Sequence, residues 1–189
     1  QGGFRYIDAQ TDDARLVLRV IREAVRDGGT AINYARAEAL QCNRAGQVRG
    51  VVVRDQAPEA GERTAEISAR VVINATGAWA DDLRMQIGGR QRLRKLRGGH
   101  LVFPFERLPL PRAVSLLHPV DGRPVFAFPW EGVTIVGTTD VDHSTDQETD
   151  PFTSVDEAEY LLMATQKAFP DLNLNLEHVQ STFAGLRPV

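Results

Sequence analysis

Between residues 101 and 136 the apolar residues come in short runs, Leu101 to Phe103, Ala113 to Leu117, Val125 to Phe128 and Val133 to Val136, punctuated by Pro104, Pro109, Pro111, Asp121-Gly122 and Glu131-Gly132. Asp-Gly between apolar runs is a hairpin signal, and proline interrupts any ladder it enters, so this region reads as a set of antiparallel strands. A polar, acidic loop, His143 to Pro151, follows. Ser154 with Glu157 then makes a capping box that opens a helix reaching about Phe169, where Pro170 stops it. A last strand is expected over roughly Val179 to Ala184.

The first half has another texture. Ala14, Val17, Leu18, Ile21 and Val25 recur at helical spacing between Asp12 and Asp27, with two acidic residues at the start and Gly28-Gly29 at the end. Beyond this helix, Ala31 to Tyr34 is a short strand candidate. The stretches Ala37 to Cys42 and Val48 to Arg54, parted by Arg44-Ala45-Gly46, read as a meander. After a loop from Gln56 to Arg63, residues Ala65 to Asn74 climb into Val71-Val72-Ile73, a continuous apolar run of the kind found in strands buried on both faces. Gly88-Gly89 marks a change of subdomain, which divides the chain into residues 1–89 and 90–189. The expected class is mixed α/β (α+β): part of a doubly wound domain with its β-meander, joined to an antiparallel sheet with one helix.

Composition narrows the function classes. The chain has 189 residues, 42% of them hydrophobic and 25% charged, with a formal net charge of −3. These are ordinary globular values. Nucleic acid is not an expected partner, since that normally shows as clustered Lys and Arg; the one basic stretch, Arg90 to Arg97, is short. One cysteine, Cys42, excludes an internal disulfide, and its place in a strand pattern reads as a small buried hydrophobe. No Cys/His cluster has zinc spacing, so no metal site is expected. No run approaches the roughly 18 apolar residues that span a bilayer.

The apolar run ends in Asn74-Ala75-Thr76-Gly77, followed by Ala78-Trp79-Ala80-Asp81. A glycine at the carboxyl end of a strand lets a bulky ligand approach the backbone, although the same glycine also simply ends strands. Other segments follow in order: Arg97-Gly98-Gly99-His100, Phe128-Pro129-Trp130-Glu131-Gly132, Gly137-Thr138-Thr139-Asp140 and Ala184-Gly185-Leu186-Arg187-Pro188. Upstream stand Tyr6-Ile7-Asp8-Ala9-Gln10, Asp12-Asp13-Ala14-Arg15-Leu16 and Asn33-Tyr34.

This ordered set resembles the FAD-dependent glycerol-3-phosphate dehydrogenases, within the D-amino-acid-oxidase-like flavoproteins. The resemblance covers nearly the whole chain and lies in order and number more than in any single motif. Two departures stand out. The family's arginine-glycine-serine-histidine segment has Gly99 in place of serine. The family's G-x-G-x-x-G fingerprint, which sets backbone N–H groups against a pyrophosphate, occurs nowhere in the sequence. The resemblance therefore implies an internal segment of such an enzyme, from which tight FAD binding on its own, and hence activity, is not expected.

The implied reaction oxidises glycerol 3-phosphate to dihydroxyacetone phosphate by hydride transfer to flavin, with electrons passing to a quinone or, in oxidase relatives, to oxygen. A cytoplasmic location, with peripheral attachment to the inner face of the membrane, belongs to the same expectation. His100 is the candidate for the reacting hydroxyl, because an imidazole titrates nearest neutrality; the alternative is a histidine bonded in a turn. Arg187 is the candidate for the phosphate or a substrate oxygen, because a guanidinium binds oxyanions bidentately. Arg97, Thr138 and Thr139 are further candidates for the substrate, the threonines serving equally to organise a turn. Ala75, Thr76, Gly77 and Trp79 are candidates for contact with FAD. Two rival readings stay open: an amine or amino-acid oxidoreductase of the same flavoprotein group, and a non-catalytic binding module.

Overall fold

The computed structural model describes residues 3–59, 61, 63–143 and 150–189. The chain forms two compact units, 1–72 and 73–189. This division falls upstream of the change of texture at residues 88–89, because Asp81 ties the second helix to the segment behind it. Its carboxylate accepts the backbone N–H groups of Arg92 (2.9 Å) and Leu93 (2.8 Å).

The first unit holds helix α1 (Asp13–Arg26) and an antiparallel meander of β1 (Ala35–Cys42), β2 (Val48–Asp55) and β3 (Thr64–Ser68), in the order β1-β2-β3. Asp12 caps α1, its carboxylate accepting the Arg15 N–H at 2.9 Å, as a short acceptor at a helix start should. No residue of α1 is buried. Three sequence expectations need correction here. Residues 31–34 form no strand; the chain turns at Tyr34, whose φ is 54°, before β1 begins. Val71 and Ile73 are exposed and in no strand, because none of the described strands pairs with 71–73 and a strand without a ladder partner has nothing to hold it. Cys42 is exposed at the end of β1, not buried.

The second unit is a sheet covered on one face by a helix. After the 3-10 turn Gly77–Trp79 and α2 (Ala80–Gln86) come β4 (Lys95–Pro104), β5 (Val114–Leu117), β6 (Pro124–Trp130), β7 (Val133–Gly137), β8 (Val141–Asp142), α3 (Val155–Ala168) and β9 (Ser181–Pro188). The order runs β5-β6-β7-β4, with β9 on the far side of β4 and β8 continuing beside β4 beyond the end of β7. Every pairing is antiparallel. The β6–β7 hairpin turns on Glu131 and Gly132, at φ of 43° and 88°, the left-handed pair that a two-residue hairpin loop requires. The Ser154–Glu157 capping box forms as expected and Phe169 closes α3 just before Pro170. Of the expected loop from His143 to Pro151, residues 144–149 lie outside the described residues.

The core lies between α3 and one face of this sheet. Leu101, Phe103, Leu116, Val125, Ala127 and Val136 from the strands meet Leu161, Leu162 and Ala164 from the helix, with Leu108, Leu110 and Leu174 closing the edges. Side chains alternate across a strand, so the residues between these point to the other face. That face carries the candidate site.

Candidate functional site

Alternation along β4 sorts its residues into two sets. Arg97, Gly99, Leu101 and Phe103 face α3, whereas Gly98 and His100 face the open side together with their partners across β9, Gly185 and Phe183. Arg187, two residues beyond Gly185, lies on the same open face. His100 and Arg187, both expected to contact substrate, are thus brought together by register alone.

The His100 imidazole is mostly buried. It stacks on Phe183, with ring centroids 4.4 Å apart and planes 4° from parallel. Its far side rests on the Gly137 backbone, where a Cβ would stand 2.1 Å from the His100 Cδ2. Nδ1 is buried with no hydrogen-bond partner. Burial holds the pKa below the ordinary histidine value of 6.5; nearby carbonyls of Gly98 and Phe183 oppose this, and the charge of Arg187 adds to it. The ring is thereby kept in its neutral form.

Arg187 Nη1 donates to Asp140 Oδ1 at 2.5 Å, and Arg123 Nη2 donates to the other oxygen of Asp140 at 2.7 Å. The Nη2 of Arg187 hangs above Gly98, 3.5 Å from where a Cβ would be, and Thr138 Oγ1 lies 2.5 Å from the same point. Gly98 is buried, and the space that a side chain would take there is filled by the Thr138 hydroxyl, with the Arg187 guanidinium beside it. Thr138 is half-buried and donates to the Thr139 carbonyl at 3.1 Å.

Arg97 and Thr139, also expected to contact substrate, are bonded on the helix side of the sheet. Arg97 faces α3 and grips the buried Glu157 through Nε (3.0 Å) and Nη2 (2.6 Å). Thr139 accepts the Gly99 N–H (2.8 Å) and donates to Glu157 (2.7 Å). Ser154 adds its N–H at 3.0 Å and its hydroxyl at 2.9 Å. Although burial alone would raise it, this donor set, led by Arg97, brings the Glu157 pKa down to about 2 from 4.5. With this many partners taken up, neither Arg97 nor Thr139 has its polar atoms facing the open side. The cluster is a buried clamp joining α3, β4 and the segment after β7.

Ala75, Thr76, Gly77 and Trp79 form the surface around the 3-10 turn, which packs beside β9. Ala75, Gly77 and Trp79 are exposed, and Gly77, at φ 56°, has open space where a Cβ would be. Asn74 shapes the turn, accepting the Thr76 hydroxyl (2.8 Å) and donating to the Ala80 carbonyl (2.8 Å). An open, left-handed glycine at this position fits a planar group lying close to the backbone.

Asp140, Arg123 and Phe183 were not among the expected site residues. The signal for Phe183 was present: it is the apolar residue two positions before Gly185, on the same face of β9. Asp140 closed the Gly137-Thr138-Thr139-Asp140 segment, but its pairing with Arg123 and Arg187 joins residues 17 and 47 apart in sequence, which no local pattern reveals. A shallow groove lined by Leu162, Met163, Gln166 and Leu176 lies on the helix layer, away from His100. Among the described residues no group of His, Cys, Asp or Glu is placed to hold a metal ion, and no helix is long and apolar enough to cross a membrane.

Comparison with known proteins defines the class. Residues 1–189 match the family of FAD dependent oxidoreductases known as DAO, and the chain belongs to that family. It is 38% identical over 191 aligned positions to the aerobic glycerol-3-phosphate dehydrogenase of Staphylococcus haemolyticus, covering 100% of this chain and 34% of that protein. The aerobic glycerol-3-phosphate dehydrogenase of Staphylococcus aureus strain USA300 is 37% identical over the same span. Among solved structures, the Bacillus halodurans glycerol-3-phosphate dehydrogenase complexed with FAD superposes with a TM-score of 0.89 at 40% identity, over 95% of this chain and 36% of that one. The L-proline dehydrogenase from P. horikoshii shares the fold at a TM-score of 0.68 and 17% identity, over 93% of this chain and 43% of that one. The chain thus spans about a third of the length of the glycerol-3-phosphate dehydrogenases it resembles.

Proposed function

We propose that this chain forms the substrate face of an FAD-dependent oxidoreductase that oxidises glycerol 3-phosphate to dihydroxyacetone phosphate. The observation that carries the reading is the convergence of a neutral, half-enclosed His100 and the cation Arg187 on one open sheet face. The substrate class comes from the likeness, across the whole chain, to proteins named glycerol-3-phosphate dehydrogenases. The 17% match to an L-proline dehydrogenase speaks for the fold alone, and so gives the amino-acid alternative less support.

Removing two electrons from a secondary alcohol requires that its hydroxyl proton and its carbon-bound hydrogen leave by different routes. Bound FAD supplies the acceptor for the hydride. His100 takes the hydroxyl proton on a ring nitrogen that burial has kept neutral. Arg187 holds the phosphate through the Nη2 that lies beside Gly98, and Thr138, on turning its hydroxyl away from the Thr139 carbonyl, donates next to it. Gly98 leaves room for the Thr138 hydroxyl to sit beside the Arg187 guanidinium, and Phe183 keeps water from one side of the imidazole. Ala75, Gly77 and Trp79 provide a surface for the cofactor. The glycine fingerprint that would cradle the cofactor's pyrophosphate does not occur in these 189 residues. A quinone as final acceptor, and a cytoplasmic protein attached peripherally to the inner membrane face, complete the proposal; the relatives' name "aerobic" supports the respiratory acceptor.

The test is absorbance-monitored reduction of FAD bound to the full-length protein on mixing with glycerol 3-phosphate. Wild-type flavin should bleach. His100→Ala should slow the reduction about 100-fold or more, the usual scale for losing a positioned base. Arg187→Ala should raise the half-saturating substrate concentration about 10-fold or more. A wild-type flavin that stays oxidised rejects the substrate assignment.

A further inference from the structure

The Arg123–Asp140–Arg187 chain of ion pairs has no place in the proton and hydride bookkeeping above. Asp140 stands in the short link between β7 and β8, immediately after the two threonines, on the side of β4 opposite β9. Arg187 reaches it from β9, across the full width of β4, and in doing so its guanidinium passes over Gly98. There its Nη2 lies 3.5 Å from where a Gly98 Cβ would stand, an ordinary contact distance. Arg187 is about half exposed, with its side chain at 47% relative exposure, so without a tether its long stem would sample many rotamers in solvent. Each oxygen of Asp140 is engaged by a different arginine, so rotation of the carboxylate breaks a contact at both ends.

We infer that Asp140 is a positioning residue: it holds the Arg187 guanidinium across β4 beside Gly98, and Arg123 holds the carboxylate in the orientation that does so. The inference rests on the reading of Arg187 as the phosphate-binding cation. One edge of the guanidinium, Nη1, binds Asp140, and Nη2 beside Gly98 is left for the incoming oxyanion. Arg187 also sets its charge beside His100, so the tethered cation and the proton acceptor are electrostatically connected.

Two measurements on the full-length holoenzyme test it. The first is Asp140→Asn, which keeps the shape and removes the charge. KM for glycerol 3-phosphate should rise about 10-fold, with the limiting rate of flavin reduction changed less than 3-fold and FAD content unaltered. Asp140→Glu should recover part of the loss. The second measurement does not depend on substrate: phenylglyoxal, which attacks unpaired guanidinium groups, should label Arg187 several-fold faster in Asp140→Asn than in wild type, as read by peptide mass spectrometry. Equal labelling of Arg187 in the two proteins overturns the positioning role whatever the substrate. Faster labelling with an unchanged KM overturns it too, since the tether then has no effect on binding. If wild-type flavin is not reduced by glycerol 3-phosphate, the functional reading fails by itself and the labelling comparison still decides whether Asp140 holds Arg187.

Discussion

His100 on β4 and Phe183 on β9 sit directly opposite one another in the ladder, and their rings stack 4.4 Å apart at 4°. The stacked phenyl ring takes water from one face of the imidazole while the Gly137 backbone closes the other. Burial of this kind penalises the charged form, so the ring is neutral at neutral pH and stays so below the pH at which a free histidine would half-protonate.

The pH dependence of flavin reduction carries the first prediction. If neutral His100 receives the hydroxyl proton, the rate should be constant from pH 8 down past 6.5 and fall only under more acidic conditions. The measurement is the reductive half-reaction followed by stopped-flow absorbance. An acid limb centred at or above 6.5 contradicts the assignment.

Phe183→Ala should move that limb. Loss of the stacked ring admits water to His100, so its pKa should rise toward 6.5 and the acid limb should follow. Stability should drop by about 0.5–1.5 kcal/mol beyond lost burial, the usual scale for an aromatic pair. Urea titration and the same stopped-flow series read the two effects separately.

Glu157→Gln should be strongly destabilising, by about 3–5 kcal/mol, because Arg97 is then left charged in a buried place without its counterion. The wild-type clamp also has an acid signature. Glu157 is held at about 2 against an ordinary 4.5, so its contribution is fully present above pH 4.5 and is lost as the pH falls toward 2. Urea midpoints measured at pH 7, 4.5 and 3 should show wild type weakening through that window more than Glu157→Gln does.

Gly99 and Gly137 should respond differently to substitution. A Cβ on Gly99 meets the Thr153 side chain at 2.9 Å, on the helix side of the sheet. Gly99→Ser should therefore cost about 1–3 kcal/mol of stability and leave KM unchanged. A Cβ on Gly137 meets the His100 ring instead, so Gly137→Ala should displace the imidazole and slow flavin reduction by about 10-fold or more. Paired denaturation and kinetic measurements on the two variants check this; a KM effect from Gly99→Ser would mean that the residue reaches the open face.

Local signals in the sequence were reliable where the physics was local. The Asp12 cap, the Ser154–Glu157 box and the Glu131-Gly132 turn each involve groups a few residues apart, and all formed where the residues required. The 71–73 run misled because a strand depends on neighbours that its own residues do not encode; here Val71 and Ile73 stand in solvent. Arg97 looked like one member of a short basic run, yet its partner Glu157 lies 60 residues away and had already been assigned a role as a helix cap. Both roles are real, since Glu157 returns to the Ser154 N–H and accepts Arg97 with the same oxygen. His100 and Arg187 were legible as chemistry, but their meeting is a matter of ladder register, which no property of either residue reveals.

The alternation along β4 has a consequence for how this protein can change. Even-numbered positions from 98 to 100 serve the open face, while odd-numbered ones from 97 to 103 serve the helix layer, so the two sets can accept substitutions almost independently. Length is another matter. Deleting or inserting one residue between Arg97 and His100 would put the two side chains on the same face, so either the imidazole would turn toward α3 or the Arg97 charge toward the open side. Drift in residue identity is tolerable in this strand, whereas a change in its count mixes the two sets.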